Sequence, residues 1–162
     1  MRYAYPCQIV RDEAEARASG REAWTVTFPD VYGANTGGWS WSEALEMARD
    51  CLSVALGMYV KAREDIPLPC APSEGQVLVS VSPVVAAKLA LYTAMREQGV
   101  TQVALAARLG IQESAVRRLL DPGHRSHITS VERALEVLGR SLVVEDGAAL
   151  RPPESAAAPA SS

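Results

Sequence analysis

Several features are scarce in this 162-residue chain, and each scarcity excludes a class of protein. There are three cysteines, Cys7, Cys51 and Cys70, an odd number with no Cys-x-x-Cys spacing. This argues against a disulfide framework and a zinc site, and predicts reduced cysteines with a structural role. No apolar run reaches the roughly 20 residues of a membrane span, and the first residues lack the apolar core of a signal peptide. We therefore expect a cytoplasmic protein that needs no metal and no cofactor.

The net charge of −3 is small, but it is unevenly distributed along the chain. Residues 1–80 carry 7 Lys or Arg against 11 Asp or Glu, a balance of −4. Residues 81–146 carry 8 against 7, a balance of +1. The acidic front half therefore favours a basic partner. With 48% hydrophobic residues, the chain has enough apolar mass for one ordinary domain or two small ones.

The front half is predicted to form a small α+β layer in the order β-β-α-β. β-branched, aromatic and alternating patterns predict strands over residues 3–12, 23–28 and 76–81. The polar segment 13–22 is predicted to connect the first two as a hairpin, and the third strand to pair with the first. The glycine-containing segment 31–39 is predicted to be a loop. Ser40 and Glu43 have the spacing of a capping box, which predicts the start of an amphipathic helix.

The back half is predicted to be helical. Ser82 and Pro83 have the pattern of a helix start, and Thr129 with Glu132 that of another capping box. Helices are predicted over residues 83–99, 101–110, 112–120 and 129–139. A short strand is predicted at 141–145, and the Pro/Ala/Ser-rich tail is predicted to be disordered. The predicted domains are 1–81, 82–146 and the tail 147–162.

Residues 101–121 have the packing requirements of a helix-turn-helix. Ala106 is small where the two helices meet, Gly110 suits the turn, and Val116 and Leu119 are apolar on the inner face of the second helix. Polar side chains on the other face can reach bases and phosphates. The predicted DNA-binding residues are Thr101, Gln102, Arg108, Gln112, Glu113, Ser114, Arg117, Arg118 and Arg125. The alternative is a helical hairpin with a solvated polar face.

The small positive balance of this half predicts weak DNA binding by a monomer. Helix-turn-helix domains commonly bind two half-sites as dimers, so we expect a homo-oligomer, a dimer or a tetramer. The arrangement resembles the Cro/repressor-type (XRE) helix-turn-helix, in which Gln102 at the first position is also typical.

The front half offers two further interpretations. Asp12, Glu13, Asp30 and Glu43 would suit a two-metal nuclease if they gathered at one edge of the sheet, although such carboxylates are more often solvated or capping. Trp39 becomes an interface candidate if its ring is exposed.

The front half contains a succession of short motifs, in the order Phe28-Pro29-Asp30, Gly33, Thr36-Gly37-Gly38, Glu43-Ala44-Leu45 with Ala48, and Ile66-Pro67. This succession resembles the signature of HicB-type antitoxins. With the helix-turn-helix, the resemblance covers roughly residues 3–145. The segment 13–22 is longer than the family's usual turn, and Trp39 replaces a usually polar residue.

The resemblance implies a partial RNase H-like front domain that has lost catalysis, followed by an all-α helix-turn-helix domain with a short C-terminal strand. It implies a HicA-type toxin as partner, a small basic endoribonuclease that cleaves mRNA, and repression of the antitoxin's own operon. The residues expected to contact the toxin are Phe28, Asp30, Tyr32, Asn35 and Trp39. The hypothesis is a non-enzymatic antitoxin and autorepressor. The alternatives are a stand-alone transcription regulator with a sensing or oligomerisation domain, and an RNase H-like nuclease.

Overall fold

The computed structural model describes residues 3–148 and 150–151 of the chain. The elements, in chain order, are β1 (Ala4–Arg11), α1 (Glu13–Ser19), β2 (Trp24–Thr27), β3 (Asn35–Gly38), α2 (Trp41–Ala62), β4 (Gln76–Ser80), α3 (Pro83–Gln98), α4 (Gln102–Leu109), α5 (Glu113–Leu120) and α6 (Ile128–Val137). The fold is α+β, as predicted. An antiparallel sheet in the front half precedes the helices α3 to α6.

The sheet has the strand order β3-β2-β1-β4, which places β1 in the middle. β4 pairs with β1, as predicted, with Tyr5 opposite Val79. Tyr5, Cys7 and Ile9 alternate inward and are buried. Val10 and Leu78 lie on the other face, 45% and 44% exposed. This is the usual arrangement of an antiparallel sheet with one face on the core and one in water.

Two predictions for the front half were wrong, because segments expected to be loops carry regular structure. The first is the segment 13–22, which contains the helix α1. Asp12 caps this helix by accepting a hydrogen bond from the Glu15 backbone N–H at 2.9 Å, and Gly20 ends it in the left-handed conformation. Alanine and glutamate fill most of α1, and both favour a helix over an extended turn.

The second is the segment 31–39, which contains the edge strand β3 with its two glycines. A Cβ built on Gly37 would lie 2.6 Å from the carbonyl oxygen of Trp24, and one on Gly38 would lie 2.5 Å from the backbone nitrogen of Ala44. Only glycine therefore permits the close approach of β3 to β2 and to the start of α2. The observed order is β-α-β-β-α-β rather than β-β-α-β.

The long helix α2 begins at the predicted cap. The Ser40 hydroxyl accepts a hydrogen bond from the Glu43 N–H at 3.1 Å. The Glu43 carboxylate accepts from the Trp39 N–H at 2.8 Å, one residue before the donor that a capping box uses. A stripe of small and aliphatic side chains is buried on the sheet side, namely Ala44, Leu45, Ala48, Leu52 and Leu56.

The helices α3, α4 and α5 confirm the predicted organisation of the back half. Ser82 and Thr101 cap α3 and α4, which end at Gly99 and Gly110 in the left-handed conformation. The predicted N-cap of the last helix, Thr129, was wrong. His127 occupies the N-cap position of α6 and makes no side-chain cap, so Thr129 already lies inside the helix.

The end of the chain differs from prediction as well. The segment 141–145 has no regular structure, so the predicted C-terminal strand is absent from the described residues. Of the tail predicted to be disordered, residue 149 and residues 152–162 lie outside the described residues.

The two halves share one continuous cluster of buried apolar side chains. Polar contacts reinforce the junction, since the Tyr92 hydroxyl donates to the Glu64 carbonyl at 2.7 Å and the Tyr3 and Thr93 hydroxyls lie 3.3 Å apart. A Cβ built on Gly57 of α2 would lie 3.7 Å from Pro122, just beyond α5. The back half therefore packs directly on the second part of α2.

Candidate partner and nucleic-acid interfaces

The helices α4 and α5 meet as the sequence predicts. Ala106, Val116 and Leu119 are buried between the helices and the core, and Gly110 forms the turn with φ of 67°. The Thr101 hydroxyl accepts from the Ala104 N–H at 3.1 Å, so it serves as the cap of α4. This packing leaves one face of α5 open to a partner.

The open face of α5 carries the predicted polar residues. Gln112, Glu113, Ser114, Arg117 and Arg118 are all exposed. Arg117 forms an ion pair with Glu113 at 2.9 Å, but both side chains remain largely exposed, so the pair contributes little to stability.

The structure gathers most of the predicted DNA-binding residues around one groove of about 980 Å³. Those that line it are Thr101, Gln102, Glu113, Ser114, Arg117 and Arg118. Arg108, Gln112 and Arg125 are exposed but do not line it. The opposite wall includes Lys61 and Arg63 at the end of α2. Sequence reasoning missed these two, because no local pattern shows that this end of α2 faces α4 and α5.

Lys88 is a second residue that sequence reasoning missed. Its side chain is fully buried, and its ammonium group donates to the carbonyls of Arg118, Asp121 and His124 at 3.0, 2.7 and 2.5 Å. Burial lowers the pKa of Lys88, and the nearby Asp121 carboxylate opposes that shift. A cation at the C-terminal end of α5 also interacts favourably with the helix dipole. Lys88 thereby fixes the end of α5 and the loop that follows.

The residues expected to contact a toxin are in different environments. Tyr32 is 94% exposed, Asn35 is exposed and Trp39 is 39% exposed. Asp30 is half-buried, and its carboxylate accepts from the Cys70 N–H at 2.7 Å. Phe28 is only 4% exposed and belongs to the core, so its side chain supports the loop beneath Tyr32 and is not part of the surface.

The exposed side chains of Tyr32, Asn35 and Trp39 are spread along the edge strand β3 and do not form one cluster. Tyr32 precedes the strand and Trp39 follows it, so they lie beyond opposite ends of β3. The Trp39 ring is covered by the Arg21 guanidinium at 4.5 Å, a cation–π contact. The edge of β3 also leaves backbone groups available for a partner, because β2 is its neighbour on one side alone.

Beside Trp39, the other two tryptophans pack against each other. The rings of Trp24 and Trp41 are 5.4 Å apart and nearly perpendicular. Their indole N–H groups are buried and find no hydrogen-bond partner among residues 3–148 and 150–151. An open cleft of about 330 Å³ lies next to Trp24 and Trp39, with Asp12, Glu15 and Glu43 in its lining. Trp24 therefore packs against Trp41 and lines the same cleft as Trp39.

The carboxylates considered for a nuclease have local structural partners. Asp12 caps α1 and accepts from the Thr25 hydroxyl at 3.3 Å, and Glu13 lies 3.7 Å from Arg11. Asp30 and Glu43 accept the backbone hydrogen bonds described above. In the part of the chain that the structure describes, no group of three or more His, Cys, Asp or Glu residues is placed to hold a metal ion. The geometry therefore gives no support to a two-metal centre.

The cysteines are free, as predicted. Cys7 is buried, which raises the pKa of its thiol to about 12. Cys51 is half-buried, and Cys70 is exposed and has no place in the core. Among the described helices, none is long and apolar enough to cross a membrane.

Comparison with known proteins identifies the family. The family described as "HicB_like antitoxin of bacterial toxin-antitoxin system" matches residues 4–90, more than half of the chain. The chain belongs to this family. Membership supports an antitoxin function, implies a toxin as partner and suggests a regulatory rather than an enzymatic role.

Curated relatives extend the HicB likeness beyond residue 90. Antitoxin HicB 2 of Photorhabdus laumondii is 33% identical over 138 residues, which is 85% of this chain and 92% of that protein. Antitoxin HicB of Pseudomonas fluorescens is 41% identical over 108 residues, 66% and 74% of the two chains. Antitoxin HicB of Escherichia coli K12 is 34% identical over 119 residues, 74% and 86%.

The first of these matches includes both halves of the molecule. It leaves only 24 of the 162 residues unmatched, so it must contain residues 25–138. The helices α3 to α6 are therefore part of what this chain shares with that antitoxin.

Proposed function

We propose that this HicB-family chain neutralises a HicA-type mRNA-cleaving toxin with its front half and represses its own operon by binding DNA through α4 and α5. It would do so in the cytoplasm as a homo-oligomer. The observation that carries the proposal is the family match to residues 4–90, which covers the whole sheet and α2. The partial RNase H-like fold of this half remains a prediction from the resemblance.

Charge and exposure support the toxin-binding half of the proposal. A nuclease that holds RNA needs a basic surface, and residues 1–80 carry a balance of −4 that complements it. Exposed aromatic rings contribute strongly to protein interfaces, and Tyr32 and Trp39 are exposed at the edge strand β3. We therefore place the toxin along this edge, where Asn35 is also exposed.

Packing supports the DNA-binding half. A recognition helix needs a buried inner face and an exposed polar outer face, and α5 has both. Gln112 and Ser114 lie near its N-terminus, where side chains reach base edges, and Arg117 follows one turn later.

Toxin neutralisation is tested by co-expression with any small basic protein that a neighbouring gene encodes. The tagged full-length chain is expected to copurify with that protein and to restore growth when both are produced. The double variant Tyr32→Ala, Trp39→Ala is expected to weaken the complex at least tenfold, since interface aromatics commonly contribute about 2 kcal/mol or more. Val54→Ala is the matched control, because Val54 is 68% exposed on α2 and is not among the residues proposed to contact the toxin. Equal binding by the double variant would place the toxin elsewhere.

DNA binding is tested with a duplex of the chain's own promoter. Each base-contacting arginine replaced by alanine, Arg117 or Arg118, is expected to cost about 1–3 kcal/mol and to relax specificity. Arg133→Ala is the control, since Arg133 is exposed on α6 outside the groove. A chain that binds its promoter yet copurifies with no partner would instead be a solitary regulator.

A further inference from the structure

The helix α2 ends differently from the other helices that close in the left-handed conformation. α1, α3 and α4 end there at a glycine, whereas α2 ends at Arg63 with φ of 59° and ψ of 33°. In residues 3–148 and 150–151, Arg63 is the only residue other than glycine with a positive φ. A side chain in this conformation costs free energy that glycine avoids.

The cap itself does not require an arginine. The Arg63 N–H donates to the Val60 carbonyl at 3.2 Å, and the Arg63 carbonyl accepts from Arg96 at 2.6 Å. Both contacts use backbone atoms that glycine would supply equally well. Strained residues concentrate at functional sites, so the side chain of Arg63 needs a separate explanation.

That side chain lines the groove that α5 faces. Lys61 and Arg63 are both exposed there, and neither side chain forms an ion pair or hydrogen bond with another described residue. Arg96, by contrast, is held by Asp65 at 2.7 Å. The lining of the groove contains five cationic side chains and two carboxylates. The cations are Lys61, Arg63, Arg96, Arg117 and Arg118, and the carboxylates are Glu113 and Asp121. The groove is therefore suited to a polyanion.

We propose that Lys61 and Arg63 contact the phosphate backbone of the DNA whose bases α5 contacts. This inference rests on the proposed DNA binding. Thr101 and Gln102, at the start of α4, line the same groove. A helix N-terminus favours phosphate, so we expect a DNA strand to cross the start of α4. Because the end of α2 lines the same groove, that strand would also pass Lys61 and Arg63. The antitoxin's front half thereby becomes part of its DNA interface.

The test uses the full-length variants Arg63→Gly and Lys61→Ala with the promoter duplex and a scrambled duplex over a range of salt. Arg63→Gly is expected to keep or raise the thermal midpoint, because glycine relieves the left-handed strain. Each variant is expected to flatten the slope of log K against log salt by about 0.9, up to roughly an eightfold loss of affinity at 0.1 M salt. The loss is expected to be equal on both duplexes, since phosphates carry no sequence information.

Arg49→Ala is the matched control, because Arg49 is exposed on the same helix but outside the groove. Wild-type affinity and slope in both variants, with Arg117→Ala impaired, would overturn the inference and leave the proposed function standing. A loss confined to the promoter duplex would also overturn it, since base contacts would then be responsible. So would weaker toxin binding with DNA binding intact, because the groove would then hold the toxin. A wild-type chain that binds neither duplex would refute the proposed DNA binding itself.

Discussion

The two halves of this antitoxin-family chain present their candidate surfaces in different ways. In the front half, the exposed residues Tyr32 and Trp39 are separated by the length of β3, and the neighbouring rings of Trp24 and Trp41 are partly buried. In the back half, six of the nine candidate residues line one groove. The front surface is thus an extended edge, suited to a protein partner, and the back surface is a compact basic recess.

The helix α2 joins these two surfaces. It has 22 residues, so it spans about 33 Å. Trp39 lies just before its first turn, and Arg63 lies at its end. A toxin along the edge strand would therefore lie beside the first half of α2, and DNA at the groove would lie at its end. Because the two halves share this helix and one apolar core, they could unfold as one cooperative unit or separately.

The largest expected effect is in the front half, at Gly38. Gly38→Ala would put a Cβ 2.5 Å from the Ala44 nitrogen and 2.9 Å from its Cα, and backbone atoms at the start of a helix cannot move aside. We expect the free energy of unfolding to fall by about 3 kcal/mol or more, as for severe overpacking. Urea unfolding followed by circular dichroism measures it.

Gly147→Ala is the control for this substitution. A Cβ on Gly147 meets nothing within 4 Å, and its φ is not positive, so no change is expected. An unchanged Gly38→Ala protein would show that β3 is not held against the start of α2 as described.

The second effect belongs to the back half and tests whether the halves are coupled. Lys88→Met removes the donor from three carbonyls in part-buried hydrogen bonds, which should cost about 2–3 kcal/mol. If the shared core makes one cooperative unit, hydrogen exchange will quicken in both β1 and α5. If only α3 to α6 lose protection, the halves unfold separately. Lys61→Met, on an exposed lysine, is the control.

Much of this fold is predictable from local pattern. The strands β1, β2 and β4 and the helices α2 to α5 follow from alternation, helical periodicity and caps such as Ser40, Ser82 and Thr101. The elements predicted wrongly are short. The helix α1 has seven residues and the strand β3 has four, too few for a period to show. Three of the four residues of β3, namely Asn35, Gly37 and Gly38, also disfavour strands, and tertiary contact explains the two glycines.

The candidate sites also include residues that local pattern predicts and residues that only tertiary contact brings together. The polar face of α5 is predictable because all its residues lie within about three turns of one helix. Lys61 and Arg63 belong to the groove only because the tertiary fold brings the end of α2 to the groove that α4 and α5 also line, and sequence spacing does not contain this long-range information. The family motif predicts Phe28 as a toxin contact, but the motif does not distinguish a contact residue from a core residue, and Phe28 is buried.

A smaller effect is expected at the junction between the halves. Tyr92→Phe removes the hydroxyl that donates to the Glu64 carbonyl, which should lower the free energy of unfolding by about 1 kcal/mol. Tyr32→Phe is the control, since Tyr32 is 94% exposed and its hydroxyl remains in water. Equal stability of the two variants would mean that the junction depends on apolar packing alone.

The smallest effect at neutral pH comes from Cys7. All three cysteines lie in the front half, so titration of a cysteine thiol tests the packing of that half. Burial raises the pKa of Cys7 from 9.0 to about 12, so the folded chain holds its proton longer than the unfolded chain. Below pH 9 the thiol is protonated in both states and its contribution to stability is fully present. Above pH 9 the unfolded thiol ionises first, and stability is progressively lost until the folded thiol ionises as well.

The expected loss from Cys7 is about 0.4 kcal/mol at pH 9 and then up to about 1.4 kcal/mol for each further pH unit. Unfolding measured at pH 7 to 10 should therefore show a steeper decline in the wild type than in Cys7→Ala, which loses stability from its cavity at every pH alike. Cys70→Ala, at an exposed position, should keep most of the wild-type slope. Parallel declines in all three proteins would mean that the thiol of Cys7 reaches water in the folded state, and that the sheet does not seal this side chain against α2.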